Sequence, residues 1–147
     1  NRTQPLILNT ISTPDRTDFL MHLCAHLYKE ATILSWIELG RDISLYKYCD
    51  IYLFLHKFMD AELATTLIQQ INDLGLNKEC YFALSYTKEL FEISSDNLDK
   101  VLTVIKPADL SFMTHVLEPQ TGKVYSYDMG YRDWVFCSDR KGKLYET

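Results

Sequence analysis

The chain has 147 residues, 20 acidic and 15 basic, giving a net charge of −5 with histidine neutral and a pI near 5.3. With 47% hydrophobic and 24% charged residues, it is long enough for one core and too short for two large ones, and disordered, collagen-like and low-complexity classes are set aside. No apolar run approaches the roughly 18–20 residues of a membrane span, no signal-peptide pattern is seen, and a net-negative chain is a poor partner for nucleic acid, whose phosphates call for clustered Lys and Arg.

The four cysteines, Cys24, Cys49, Cys80 and Cys137, are too far apart for a CxxC pair or a zinc knuckle. Cys24, Cys49 and Cys80 lie in hydrophobic runs, where a reduced thiol behaves as a small apolar residue. The expected compartment is therefore a reducing cytoplasm.

Pro14 and Pro107 bracket a proline-free stretch whose only glycines are Gly40 and Gly75, the condition long helices require. This divides the chain into an N-terminal arm over 1–12, a helical bundle over 13–106 and an aromatic-rich appendage over 107–147. The first helix opens with Thr13 as its cap, Pro14 at the first helical position, and Asp15 and Asp18 near the positive end of the dipole. Phe19, Leu20, Met21, Leu23, Cys24 and Leu27 give it a broad apolar face. A short second helix over 33–39 surrounds Trp36 and stops at Gly40. The third runs from about Ser44 to Phe58 and is apolar almost all round, so it is expected to be the central buried helix.

Asp60 caps a fourth helix carrying Leu63, Ala64, Leu67, Ile68 and Ile71, with Gly75 at its stop. Asn77 is expected to cap a fifth, with Cys80, Ala83, Leu84, Leu90 and Phe91 inward. Ser95 or Asp96 starts a sixth through Leu98, Val101, Leu102 and Ile105, ending before Pro107. Short connections between such helices predict a mainly α fold, an antiparallel bundle of about five to six helices. Beyond Pro107 the pattern changes. Residues 118–122 read as a turn, Lys123 to Tyr127 alternate as a half-exposed strand, 134–137 suit a strand or a helical turn, and 141–143 form another turn. This predicts a small irregular or β-hairpin appendage packing its aromatics onto the bundle.

Chemistry-bearing patterns are few. His22 and His26 stand four apart on the first helix and share a face; with Asp50 from the third helix they are the natural candidates for a metal. A gluzincin would place Glu where Leu23 stands, so the protease motif is absent. The favoured reading of the pair is two partly buried histidines hydrogen-bonded to the bundle, with no metal assigned. Arg16 and His22 loosely match the Arg-x(4–6)-His element of HEPN-type ribonucleases, in which the imidazole acts as general acid/base and the cation holds phosphate charge. No G-x-S-x-G elbow and no Gly-rich phosphate loop is present. Asp60 and Glu62 read as a cap and its solvated neighbour. The many tyrosines, among them Tyr46, Tyr48, Tyr52, Tyr81 and Tyr86, suit a half-buried core better than a groove.

Three segments carry a resemblance. They are Phe19-Leu20-Met21-His22-Leu23-Cys24-Ala25-His26-Leu27-Tyr28-Lys29 followed by Trp36; the run Tyr48-Cys49-Asp50-Ile51-Tyr52-Leu53-Phe54-Leu55; and Leu74-Gly75-Leu76-Asn77 continuing to Leu84 and Glu89-Leu90-Phe91. From Asp18 to Phe91 the chain resembles the helical C-terminal half of a family of uncharacterised bacterial nucleotidyltransferase-like proteins. The resemblance implies a polymerase-β-like catalytic domain preceding this region, carrying Gly-Ser and then Asp-x-Asp, with Mg²⁺ and a nucleotide as its cofactors. Here none of the five glycines is followed by serine and no two aspartates stand two apart. The chain is accordingly expected to be non-catalytic alone, a fragment or excised domain whose partner is the catalytic domain of its parent. Its own contribution would be the acceptor-substrate wall, with His22, His26, Asp50 and Trp36 as the binding residues. The alternative classes are a stand-alone helical interaction module, using its aromatic tail, and a HEPN-like ribonuclease.

Overall fold

The computed structural model describes residues 12–40 and 45–147; the arm over 1–12 lies outside them except for Ser12, as does Ser44. Among the described residues there are seven α-helices: α1 Thr13–Thr32, α2 Leu34–Glu38, α3 Leu45–Phe58, α4 Ala61–Leu74, α5 Asn77–Phe91, α6 Asp96–Ile105 and α7 Tyr131–Val135. A three-stranded sheet, β1 His115–Glu118, β2 Lys123–Ser126 and β3 Tyr145–Glu146, completes the C-terminal region. The mainly α expectation holds, with a third strand and a short helix added to the predicted hairpin. No helix among the described residues is long and apolar enough to cross a membrane.

The centre of the bundle is α1, not α3. Helices α3, α4 and α5 all pack against α1, and α2 and β1 touch its C-terminal part. Its inward positions, Thr17, Leu20, Met21, Cys24, Leu27 and Ala31, are all buried and recur at helical spacing. What remains for solvent is the narrow stripe Asp18, His22, His26 and Lys29. α3 packs on α1 and α5 and turns Leu45, Tyr46 and Leu53 to water, Leu53 at 59% exposed. Its high apolar content therefore reflects an outer helix with hydrophobic residues on both faces. Burial of its inner residues Tyr48, Ile51, Phe54, Leu55 and Phe58 fixes its orientation.

Helix ends follow local chemistry in most cases. The Leu63 backbone N–H donates to Asp60 Oδ1 at 2.8 Å, and Gly75 closes α4 at φ 68°, a left-handed conformation that favours glycine. The Leu98 N–H donates to Ser95 Oγ at 3.2 Å at the head of α6. Asp60→Ala is expected to lower stability by about 1 kcal/mol, read as a lower urea midpoint at unchanged slope.

Two expected caps are corrected. Thr13 is already helical, preceded by Ser12, and its hydroxyl donates to Glu62 Oε1 at 3.1 Å, tying α1 to α4. Asn77 is the first residue of α5, behind Leu76. Its amide donates to Asn72 Oδ1 at 3.0 Å and to the Ile105 carbonyl at 3.3 Å. It thus links the end of α4, the start of α5 and the end of α6.

Residues beyond Pro107 join the same core. β1 and β2 pair antiparallel from His115↔Ser126 to Glu118↔Lys123, and β3 adds to β2 through Tyr125↔Glu146 and Ser126↔Tyr145. A parallel bridge, Ile33↔Leu117, connects the sheet to the α1–α2 junction. Trp134 of α7 is 1% exposed and stacks on Tyr127 at 3.9 Å with an interplanar angle of 2°. Tyr131 stacks on Tyr86 of α5 at 3.5 Å, and its hydroxyl meets that of Tyr48 on α3. The Tyr86 hydroxyl donates to the Met113 carbonyl at 2.7 Å. Tyr48, Tyr86, Tyr127 and Tyr131 are thus core residues, as the composition suggested, whereas Tyr46 is 64% exposed. Cys24 and Cys80 are fully buried free thiols, while Cys49 and Cys137 are partly exposed.

Candidate functional site

The outer stripe of α1 and the neighbouring face of α3 enclose a pocket of about 210 Å³, lined by Phe19, His22, Leu23, His26, Tyr46, Lys47 and Asp50. Spacing explains the α1 contribution. Residues 19, 22, 23 and 26 fall at i, i+3, i+4 and i+7, one continuous strip of helix surface. Residues 46, 47 and 50 are the corresponding strip on α3. Three of the four residues singled out from sequence, His22, His26 and Asp50, therefore meet in one place. Trp36, half-buried on α2, does not line this pocket.

The pocket has an apolar base and a polar rim. Phe19 and Leu23 are partly buried and pack against the core. Lys47 forms an ion pair with Glu30, the two side chains 18% and 14% exposed, so this lysine's charge is already compensated. His26 Nδ1 lies 3.8 Å from the Glu30 carboxylate. His22 Nδ1 donates to the Asp18 carbonyl at 2.9 Å and lies 3.8 Å from that residue's carboxylate. Both histidine side chains are 74% exposed, which corrects the expectation of a partly buried pair: α1 is central, yet its i, i+4 stripe faces out. Asp50 is exposed on the opposite wall. Such a rim can accept and donate hydrogen bonds to a neutral or hydroxylated ligand, and it has no concentration of positive charge to hold a polyphosphate.

Sequence reasoning missed Phe19, Leu23, Tyr46 and Lys47 as lining residues. The first two were legible as the helical neighbours of His22 and His26, and Lys47 as a cation in an otherwise apolar run. It also missed a second pocket, about 200 Å³, where Tyr52, Leu55, His56 and Met59 of 52–59 face Ile93, Ser94, Ser95 and Leu98. That concavity comes from the α5–α6 connection, which has no sequence signal of its own.

Among the described residues, Arg16 does not join His22 in the α1–α3 pocket. The Arg16 guanidinium lies over the Phe58 ring, 4.7 Å from its centroid. His22, six residues on, is roughly 240° further round the helix, and Arg16 lines neither of the pockets that His22 borders. Among the described residues no three His, Cys, Asp or Glu side chains gather as a ready-made metal site.

The sequence profile of the uncharacterised nucleotidyltransferase family matches residues 2–92. The chain belongs to that family. The matched span covers α1 to α5 and so includes every residue lining the α1–α3 pocket. No curated protein and no solved structure matches the chain.

Proposed function

We propose that this member of the uncharacterised nucleotidyltransferase family is the acceptor-binding helical part of a transferase, and that it does not catalyse transfer alone. The observation that carries the reading is the α1–α3 pocket, in which His22, His26 and Asp50 rim an apolar base inside the matched span. Asp50 would accept a hydrogen bond from an acceptor hydroxyl or amine, the imidazoles would orient a second polar group, and Phe19, Leu23 and Tyr46 would cover the acceptor's carbon skeleton.

Gripping Mg²⁺ and a nucleotide's phosphates takes paired carboxylates, and this sequence supplies no Asp-x-Asp. That chemistry falls to a catalytic domain carrying Gly-Ser and Asp-x-Asp, whose product-forming face this pocket would complete.

The test is a steady-state comparison in the full parent polypeptide, with Asp50→Asn and His26→Gln made separately. The acceptor KM is expected to rise about ten-fold, the worth of one hydrogen bond to a charged group, with the nucleotide KM unchanged. An unchanged acceptor KM in both variants would remove the reading, as would nucleotide transfer by residues 1–147 alone.

A further inference from the structure

The two exposed imidazoles on α1 have a property that acceptor binding does not require. A backbone carbonyl can only accept a hydrogen bond, so the 2.9 Å contact between His22 Nδ1 and the Asp18 carbonyl places the proton of the neutral ring on Nδ1. The lone pair then sits on Nε2. At His26 the Nδ1 edge faces the Glu30 carboxylate at 3.8 Å, an ion-pair distance and too long for a hydrogen bond. Glu30 is held in place by its ion pair with Lys47. The His22 ring is therefore oriented through Nδ1 by an oxygen and leaves Nε2 available, the arrangement that metal-ligating histidines adopt.

Position completes the argument. Residues four apart on a helix have Cβ atoms about 5–6 Å apart on the same face, so two Nε2 atoms can converge on one ion without moving the backbone. Both side chains are 74% exposed, giving an ion direct entry.

We propose that His22 and His26 form a two-imidazole chelate for a borderline divalent transition-metal ion, Zn²⁺ or Ni²⁺, bound through Nε2 of each ring. With two protein ligands the remaining coordination positions are left to water. Imidazole nitrogen selects this class of ion over Mg²⁺ and Ca²⁺, which take oxygen donors. The chelate stands whether or not the pocket receives a transferase acceptor, because both its ligands lie on α1.

The experiment is calorimetric titration of the chelator-treated chain with Ni²⁺, and separately with Mg²⁺, at neutral pH. One equivalent of Ni²⁺ is expected to bind, with no Mg²⁺ binding in the same concentration range. His22→Ala and His26→Ala should each weaken Ni²⁺ by at least ten-fold. Both positions are exposed, so the fold is retained, and circular dichroism of each variant checks this. His56→Ala, away from the stripe, should bind as the wild type does. Ni²⁺ affinity unchanged in either α1 variant, or lost equally in His56→Ala, would overturn the chelate. A failed acceptor assay would leave these titrations unaffected, so the two readings fail separately.

Discussion

Trp134→Ala is expected to destabilise the protein by about 3–5 kcal/mol, the range for removing a large aromatic from a packed core. Trp134 is 1% exposed and lies flat on Tyr127, 3.9 Å between centroids, while α7 packs against α5. Tyr131, stacked on Tyr86, and the Ile33↔Leu117 bridge also hold this segment, and polar contacts at the surface add to them. Arg132 donates to the Glu89 carbonyl at 2.7 Å and Lys141 to Glu38 at 2.8 Å, both at the surface, where such bonds contribute little. The truncation therefore leaves a cavity between the C-terminal residues and the bundle that surface polar contacts cannot offset. Urea unfolding followed by circular dichroism checks this. Against a total stability of about 5–15 kcal/mol, the midpoint should fall by about a fifth or more. Phe136→Ala, at a side chain 69% exposed, is the control and should move it by less than about 0.5 kcal/mol. A Trp134 effect below about 1 kcal/mol would mean that the residues after Pro107 are not part of the cooperative core.

How much of this was legible in the sequence depends on whether the determining physics is local. Asp60 and Gly75 were readable because a cap and a left-handed stop are satisfied within a few residues of themselves. Asn77 was misread because its amide spends its donors on Asn72 and on Ile105, a partner 28 residues away. The same limit explains α3. Counting apolar residues in 44–58 cannot tell that Leu53 faces water, since this depends on which helices cover it. α1, which carries charges and histidines on one stripe, is the central helix in place of α3.

The site divides in the same way. That His22 and His26 share a face follows from their spacing, and that Asp50 sits opposite follows only from the docking of α3 on α1. Their exposure was not legible, because it is set by what fails to cover α1. In the C-terminal region, the strand over 123–126 was visible in its alternation, whereas β3 and the Ile33↔Leu117 bridge join segments distant in sequence with no periodic signal.

The protein is expected to lose its fold cooperatively in alkali, between about pH 11 and 14, driven by three core tyrosines. Tyr86, Tyr127 and Tyr131 are 8%, 5% and 4% exposed. Burial is the main cause that pushes each phenol above its ordinary value; the charge of Glu89 adds to it at Tyr86, and neighbouring phenols add to it at Tyr127 and Tyr131. In the unfolded chain these groups titrate near about 10. Below that pH both states hold the protons and stability does not depend on them. Above it the unfolded chain releases protons that the native state retains, so unfolding becomes more favourable as pH rises. Each tyrosine contributes about 1.4 kcal/mol per pH unit, and three contribute about 4, enough to exhaust a typical total of about 5–15 kcal/mol within roughly one to four units. The last part of the phenolate absorbance, that of the buried tyrosines, should therefore appear together with the loss of helical circular dichroism. Tyr131→Phe should reduce the slope of stability against pH by about a third, whatever it does to stability at neutral pH. Titration of all ten tyrosines near pH 10 with helicity intact would show that the Tyr48–Tyr86–Tyr127–Tyr131 cluster is open to solvent and that the C-terminal residues are not docked.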